Sequence, residues 1–144
     1  EGGLDVGANV SFFSEFVERL SKADIRVSLF IEPCSKQIDA ARDIGAAVVE
    51  LHTGRYCDLS GVSRCEELER IQQAAKYADN IGLECHAGHG LTFETVGPIA
   101  SIEAVVELNI GHFIMGEAMI TGLECAVRKM RILMDEARSR KDAT

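Results

Sequence analysis

Four stretches of the chain repeat one pattern, a short apolar and partly β-branched run that ends in polar or glycine-rich residues: ADIRVSLFIEP (23–33), IGAAVVELHTG (44–54), IGLECHAGHG (81–90) and NIGHFIMGEA (109–118). Runs of this length, bounded by turn residues, predict strands. Between them the apolar positions change to a helical period. Phe12, Phe13, Phe16, Val17 and Leu20 form one stripe ahead of the first strand, and Leu68, Ile71, Ala75 and Ala78 form another between the second and third. A last helix carries Leu123, Val127, Met130 and Met134 on one face. Its basic residues, Arg128, Lys129, Arg131 and Arg138, lie along its middle and end, where the macrodipole tolerates them. Ser63 with Glu66, and Thr121 with Glu124, have the spacing of a capping box and predict helix starts. The Ile-Gly steps at 44–45 and 81–82 suit helix C-termini turning into strands, with glycine in the left-handed conformation.

Helix alternating with strand to the end of the chain predicts an α/β fold of βαβ units with a parallel sheet. Right-handed crossovers then place the C-terminal ends of all the strands on one side. Glu32, Glu50, His52, Gly88, His89 and Gly90 gather there, with Gly111 and His112 expected on the neighbouring strand.

Composition narrows the function. With 144 residues, 47% of them hydrophobic and 26% charged, residues 1–144 read as one globular domain with a real core. A net charge of −8 without any Lys/Arg cluster excludes a nucleic-acid partner held by counterion release. A small phosphorylated ligand remains open to it, because backbone N–H groups at a helix N-terminus hold an anion without help from net charge. The five cysteines are odd in number and lack any CxxC spacing, which fits reduced thiols in the cytoplasm. No apolar run approaches the roughly 18 residues of a membrane span, and no signal-peptide pattern opens the chain.

All four histidines fall in or beside predicted strands. For any one of them, a satisfied core histidine competes with a functional one. His86 fits the core reading, because alternation from Glu84 places it inside its strand. His89 differs, since Gly88 and Gly90 let the backbone bend and approach a ligand, leaving its imidazole at the strand mouth to exchange a proton. Glu50 and His52 are two positions apart and share a strand face, so Glu50 is either an ion-paired structural residue or an acid, base or electrostatic group. Gly111, His112 and Gly116 suit a backbone phosphate cradle, although turns use glycines too. His52, His86, His89, His112, Glu50 and the thiols assemble on paper into a zinc or iron site. The spacing of three between His86 and His89 points strand residues to opposite faces, so no metal is expected.

Taken together, VSLFIEP, VVELHTGRYCD, CHAGHGLTFETV and ELNIGHFIMGEAMITGL closely resemble the pyridoxine 5′-phosphate synthase family, in order and over nearly the whole chain. The resemblance implies a TIM (β/α)8 barrel with extra helices, of which this chain is the C-terminal half, strands five to eight. The family's preceding segment supplies another histidine, another catalytic glutamate and much of the deoxyxylulose phosphate site. Family members condense 3-amino-2-oxopropyl phosphate with 1-deoxy-D-xylulose 5-phosphate to pyridoxine 5′-phosphate, phosphate and water, and assemble as homo-oligomers. Carried over, His89 is the general acid, Glu50 stabilises the transition state, Gly90 with Gly111 and His112 binds the aminoketone phosphate, and His86 supports. Imine formation, dehydrations and ring closure need proton transfers without redox, so no cofactor or metal is implied. Arg55, after ELHTG, stays open between lid, ligand contact and solvated charge. A half-barrel would leave open parallel edges, which a truncated chain, a pairing of two copies or a separately supplied half would each explain. Two other functions remain in view: a non-catalytic phosphate-binding or assembly fragment, and a metal-dependent barrel hydrolase.

Overall fold

The computed structural model describes residues 2–141, with side chains placed through residue 139. Three helix-to-strand turns give the chain its winding, and all three are built alike. Helix α1 (Val10–Lys22) is capped by Ala23, α2 (Ser35–Asp43) by Ile44 and α4 (Gly61–Asn80) by Ile81. The next residue in each case, Asp24, Gly45 or Gly82, takes a positive φ of 59°, 81° or 84°. Its N–H and the one after it donate back to the helix, as Gly45 to Arg42 at 2.9 Å and Ala46 to Ala41 at 3.1 Å, or Gly82 to Asp79 and Leu83 to Ala78, both at 3.0 Å. This paired reversal satisfies carbonyls the helix end would otherwise orphan, and it sends the chain directly into the following strand.

The strands β1 (Ser28–Ile31), β2 (Val48–His52), β3 (Glu84–Gly88) and β4 (Val105–Asn109) form one parallel sheet in the order β1-β2-β3-β4. The described residues are therefore α/β with a four-stranded parallel sheet, an arrangement consistent with part of a TIM-type barrel. Beyond the outer edge of β1, the Leu4 N–H donates to the Phe30 carbonyl at 2.7 Å.

Alternation along the strands gives the sheet two unlike faces. Leu29, Ile31, Val49, Leu51, Cys85 and Ala87 join Ile38 and Ala41 of α2 and Ile71, Ala75 and Ala78 of α4 in one core. The intervening residues Phe30, Glu50, His52, His86, Glu107 and Asn109 occupy the opposite face, paired across the strands as Phe30 with Glu50, Glu50 with His86, and His86 with Glu107. All five cysteines are unbridged, and burial pushes the Cys85 thiol up to about 12.

Several expectations are corrected. NIGHFIMGEA is not the fourth strand: β4 ends at Asn109, and the run continues as helix α6 (His112–Thr121). An unbroken apolar run has no period that separates strand from buried helix. His112 accordingly opens a helix and does not lie on a strand. Thr121 starts nothing. Gly122, at φ 87°, ends α6 ahead of α7 (Leu123–Lys141), and the Thr121 hydroxyl donates back to the Glu117 carbonyl at 3.0 Å. Ser63 likewise lies inside α4, which begins at Gly61. The α1 stripe buries Val17 and half-buries Phe13, while Phe12 and Phe16 stay exposed.

Ile71 is fully buried between α4 and the sheet. Ile71→Ala is expected to destabilise the chain by about 2–5 kcal/mol, read as a lower urea midpoint with an unchanged slope.

Candidate active site

The C-terminal ends of the strands surround an open cavity of about 730 Å³. Phe30 of β1, Glu50 of β2, the His89–Thr92 loop after β3, and Asn109 to Phe113 after β4 line it. Glu50, His89, Gly90, Gly111 and His112, the five residues singled out from the sequence, thus meet at one place.

Glu50 reaches this cavity because β3 carries glycine beside it. A Cβ on Gly88 would collide with the Glu50 carboxylate and lie 2.7 Å from the Asn109 carbonyl oxygen. The Asn109 side-chain amide donates to Glu50 Oε2 at 3.0 Å. Burial raises the Glu50 carboxyl above its ordinary value, opposed by nearby His86 and by the Asn109 hydrogen bond. A carboxylate desolvated at a cavity wall is suited to stabilising positive charge or exchanging a proton.

His89 stands just past β3 with φ 79°, a conformation that side chains rarely adopt, and Gly90 after it has the same value. Thr53, fully buried at the end of β2, holds this bend. Its N–H donates to the Gly88 carbonyl at 2.8 Å, and its hydroxyl lies 2.8 Å from that oxygen and 2.6 Å from the His89 carbonyl oxygen. The imidazole of His89 packs on His52, ring centroids 4.8 Å apart, and on Phe30 at 6.3 Å. Cys57, in the short helix α3 (Gly54–Asp58), lies beneath the same loop with its thiol pushed up by burial, so it fills space there as a neutral group.

On the far side, α6 begins at the cavity. No side-chain hydrogen bond caps its N-terminus. Its first turn therefore offers N–H groups and the positive end of a helix dipole to an anion. Phe113 packs edge-on against Phe93 at 4.8 Å, and Lys129 of α7 sits 4.1 Å above the Phe93 ring, tying the loop after β3 to the helices after β4.

The remaining candidates lie outside the cavity wall. His86 is buried one step below, Nε2 2.7 Å from Glu84 Oε1 and Nδ1 3.4 Å from Glu107 Oε1. Arg55 is exposed and faces Glu67 of α4 at 3.5 Å. Among the described residues no group of three or more His, Cys, Asp or Glu side chains is placed to hold an ion. Phe30, Thr53 and Asn109 carry no site signal of their own in the sequence, apart from the position of Thr53 beside His52 in ELHTG.

The family model described as "Pyridoxal phosphate biosynthesis protein PdxJ" matches residues 1–136. The chain belongs to the PdxJ family. Its PdxJ relatives include proteins named pyridoxine 5′-phosphate synthase from Rhodospirillum rubrum, 54% identical over 138 residues, and from Zymomonas mobilis, 52% identical over 139. Another, from Roseobacter denitrificans, is 50% identical over 143 residues. These matches cover 95%, 96% and 96% of this chain but 55%, 54% and 57% of the relatives. The PdxJ chain here thus spans about half the length of the curated relatives it matches. No helix among its described residues is long and apolar enough to cross a membrane.

The raised Glu50 carboxyl has a consequence for stability. Folding favours its protonated form, so its favourable contribution is present below the ordinary value of 4.5 and is lost as pH rises through the higher folded-state value. Glu50→Gln is expected to raise Tm at pH 7, with the advantage shrinking below pH 4.5; thermal melts across pH read it directly.

Proposed function

We propose that this chain is the C-terminal half of a TIM-type barrel and works in pyridoxine 5′-phosphate synthase activity, condensing 3-amino-2-oxopropyl phosphate with 1-deoxy-D-xylulose 5-phosphate. The observation that carries the reading is the convergence of His89, Glu50 and the uncapped N-terminus of α6 on one cavity. The names of the relatives point the same way.

In this reading the phosphate of the aminoketone sits against the first turn of α6, held by backbone N–H groups of Gly111 and His112 and of Gly90 opposite. His89 protonates oxygen leaving groups from the mouth of β3, as an imidazole general acid can. Glu50 lies across the cavity floor, where its charge stabilises the cationic imine that forms before ring closure. Proton transfer and electrostatics suffice for imine formation, dehydration and cyclisation. The enzyme is proposed to act in the cytoplasm as a homo-oligomer, a habit favoured by the exposed Phe12, Phe16, Met119 and Ile120.

A second reading, phosphate binding without turnover, is favoured by one observation: the N-terminus of α6 opens on the cavity without a side-chain cap. Turnover on both substrates separates the two. The chain is assayed alone and mixed with the N-terminal portion of the R. rubrum protein that lies outside the match. Product in the mixture is expected, and His89→Ala is expected to lower kcat by about 10²- to 10⁴-fold. Turnover left unchanged by His89→Ala would remove His89 from the role of general acid, and phosphate binding without product would leave the second reading.

A further inference from the structure

Behind His89 lies a second histidine whose surroundings are ordered for something other than packing. His52 is 8% exposed. Its Nδ1 lies 2.9 Å from Oε1 of Glu32, just past the end of β1. The other oxygen of Glu32 faces the Arg70 guanidinium at 3.5 Å. A carboxylate so paired accepts, so Nδ1 of His52 donates to it and Nε2 lies on the opposite edge of the ring. Among the described residues that Nε2 is buried without a hydrogen-bond partner.

Its direction is given by Gly54. A Cβ there would lie 2.8 Å from His52 Nε2 and 2.8 Å from His89 Cδ2, so both ring edges converge on the one residue that leaves them room. The rings are tilted by 46°. Because φ at His89 is 79°, local backbone preference does not hold that side chain in place, and contacts from other strands must.

We propose that Glu32 and His52 form a positioning dyad for His89: the carboxylate fixes the tautomer and plane of the His52 ring, and the Nε2 edge of that ring fixes the His89 imidazole at the cavity mouth. The function of the dyad rests on His89 acting as proposed above, whereas its geometry does not. Neither Glu32 nor His52 lines the cavity, so loss of the dyad lowers the fraction of His89 oriented for proton transfer and leaves phosphate binding alone. A residue that merely supported the fold would affect both together.

The test compares Glu32→Gln and Glu32→Asp with the unaltered chain, each mixed with the N-terminal portion of the R. rubrum protein. Glu32→Gln is expected to lower kcat roughly tenfold or more, with KM for the aminoketone phosphate within about twofold, and Glu32→Asp to recover most of the rate. An unchanged kcat, or a rise in KM without a fall in kcat, overturns the proposal. A second arm needs no turnover: imidazole ¹⁵N signals of the 144-residue chain should report His52 as the Nδ1–H tautomer, with a ring-to-ring Overhauser contact to His89. Glu32→Leu, which leaves Nδ1 without its acceptor, should abolish both, and their persistence overturns the dyad. Absence of turnover in the unaltered mixture would count against the synthase reading alone, leaving the spectroscopic arm to decide the dyad.

Discussion

The site depends on the in-register parallel pairing of β2 with β3. That register sets Glu50 beside His86 and His52 beside Gly88. With glycine at 88 the Glu50 carboxylate can cross the neighbouring strand, where any side chain would meet it and the Asn109 carbonyl. A slip of one residue would turn Glu50 and His52 into the helix layer and Leu51 into the cavity. The apolar core prevents the slip, because Val49 and Leu51 are fully buried against α2 and α4. Thr53 then locks the open end of the pair by bonding the carbonyls of Gly88 and His89. The burial that holds the sheet is thus also what aims the polar groups.

Much of this was legible where one residue type has one physical use. The Ile-Gly steps at 44–45 and 81–82 mark turns because glycine alone enters the left-handed region freely, and the structure places both there. Asp24 makes the same turn without announcing itself, since aspartate is common in many other conformations. The fourth strand was misplaced because VVELN and HFIMGEAMIT are both short and apolar. Pairing with β3 decides between them, and pairing lies outside local pattern. His89, Gly90 and Gly111 stood out through glycine punctuation. Thr53 and Asn109 did not, because their partners lie 35 and 59 residues away along the chain and meet them only once the sheet forms.

The capping-box spacings failed for a related reason. Ser63 and Thr121 have acidic residues three positions on, but that spacing also occurs inside any helix with an acidic face. Both lie inside or at the end of helices that started earlier, α4 at Gly61 and α6 at His112. At Ser63 the local motif competes with the continuation of a helix held by burial of Ile71 and Ala75, and burial is worth more.

What remains is the distribution of departures from local satisfaction. His89 holds a backbone angle that costs energy, Glu50 is a carboxyl desolvated by its neighbours, and His52 buries a nitrogen that has no partner among the described residues. Each is unfavourable alone, by an amount comparable to a lost hydrogen bond or a strained dihedral. All three lie toward the C-terminal ends of β2 and β3, whereas the positive φ of Asp24 belongs to the turn that ends α1. Away from that end, Glu84 is paired with Arg26 and His86. Three such departures beside one cavity are what the chemistry proposed for it requires.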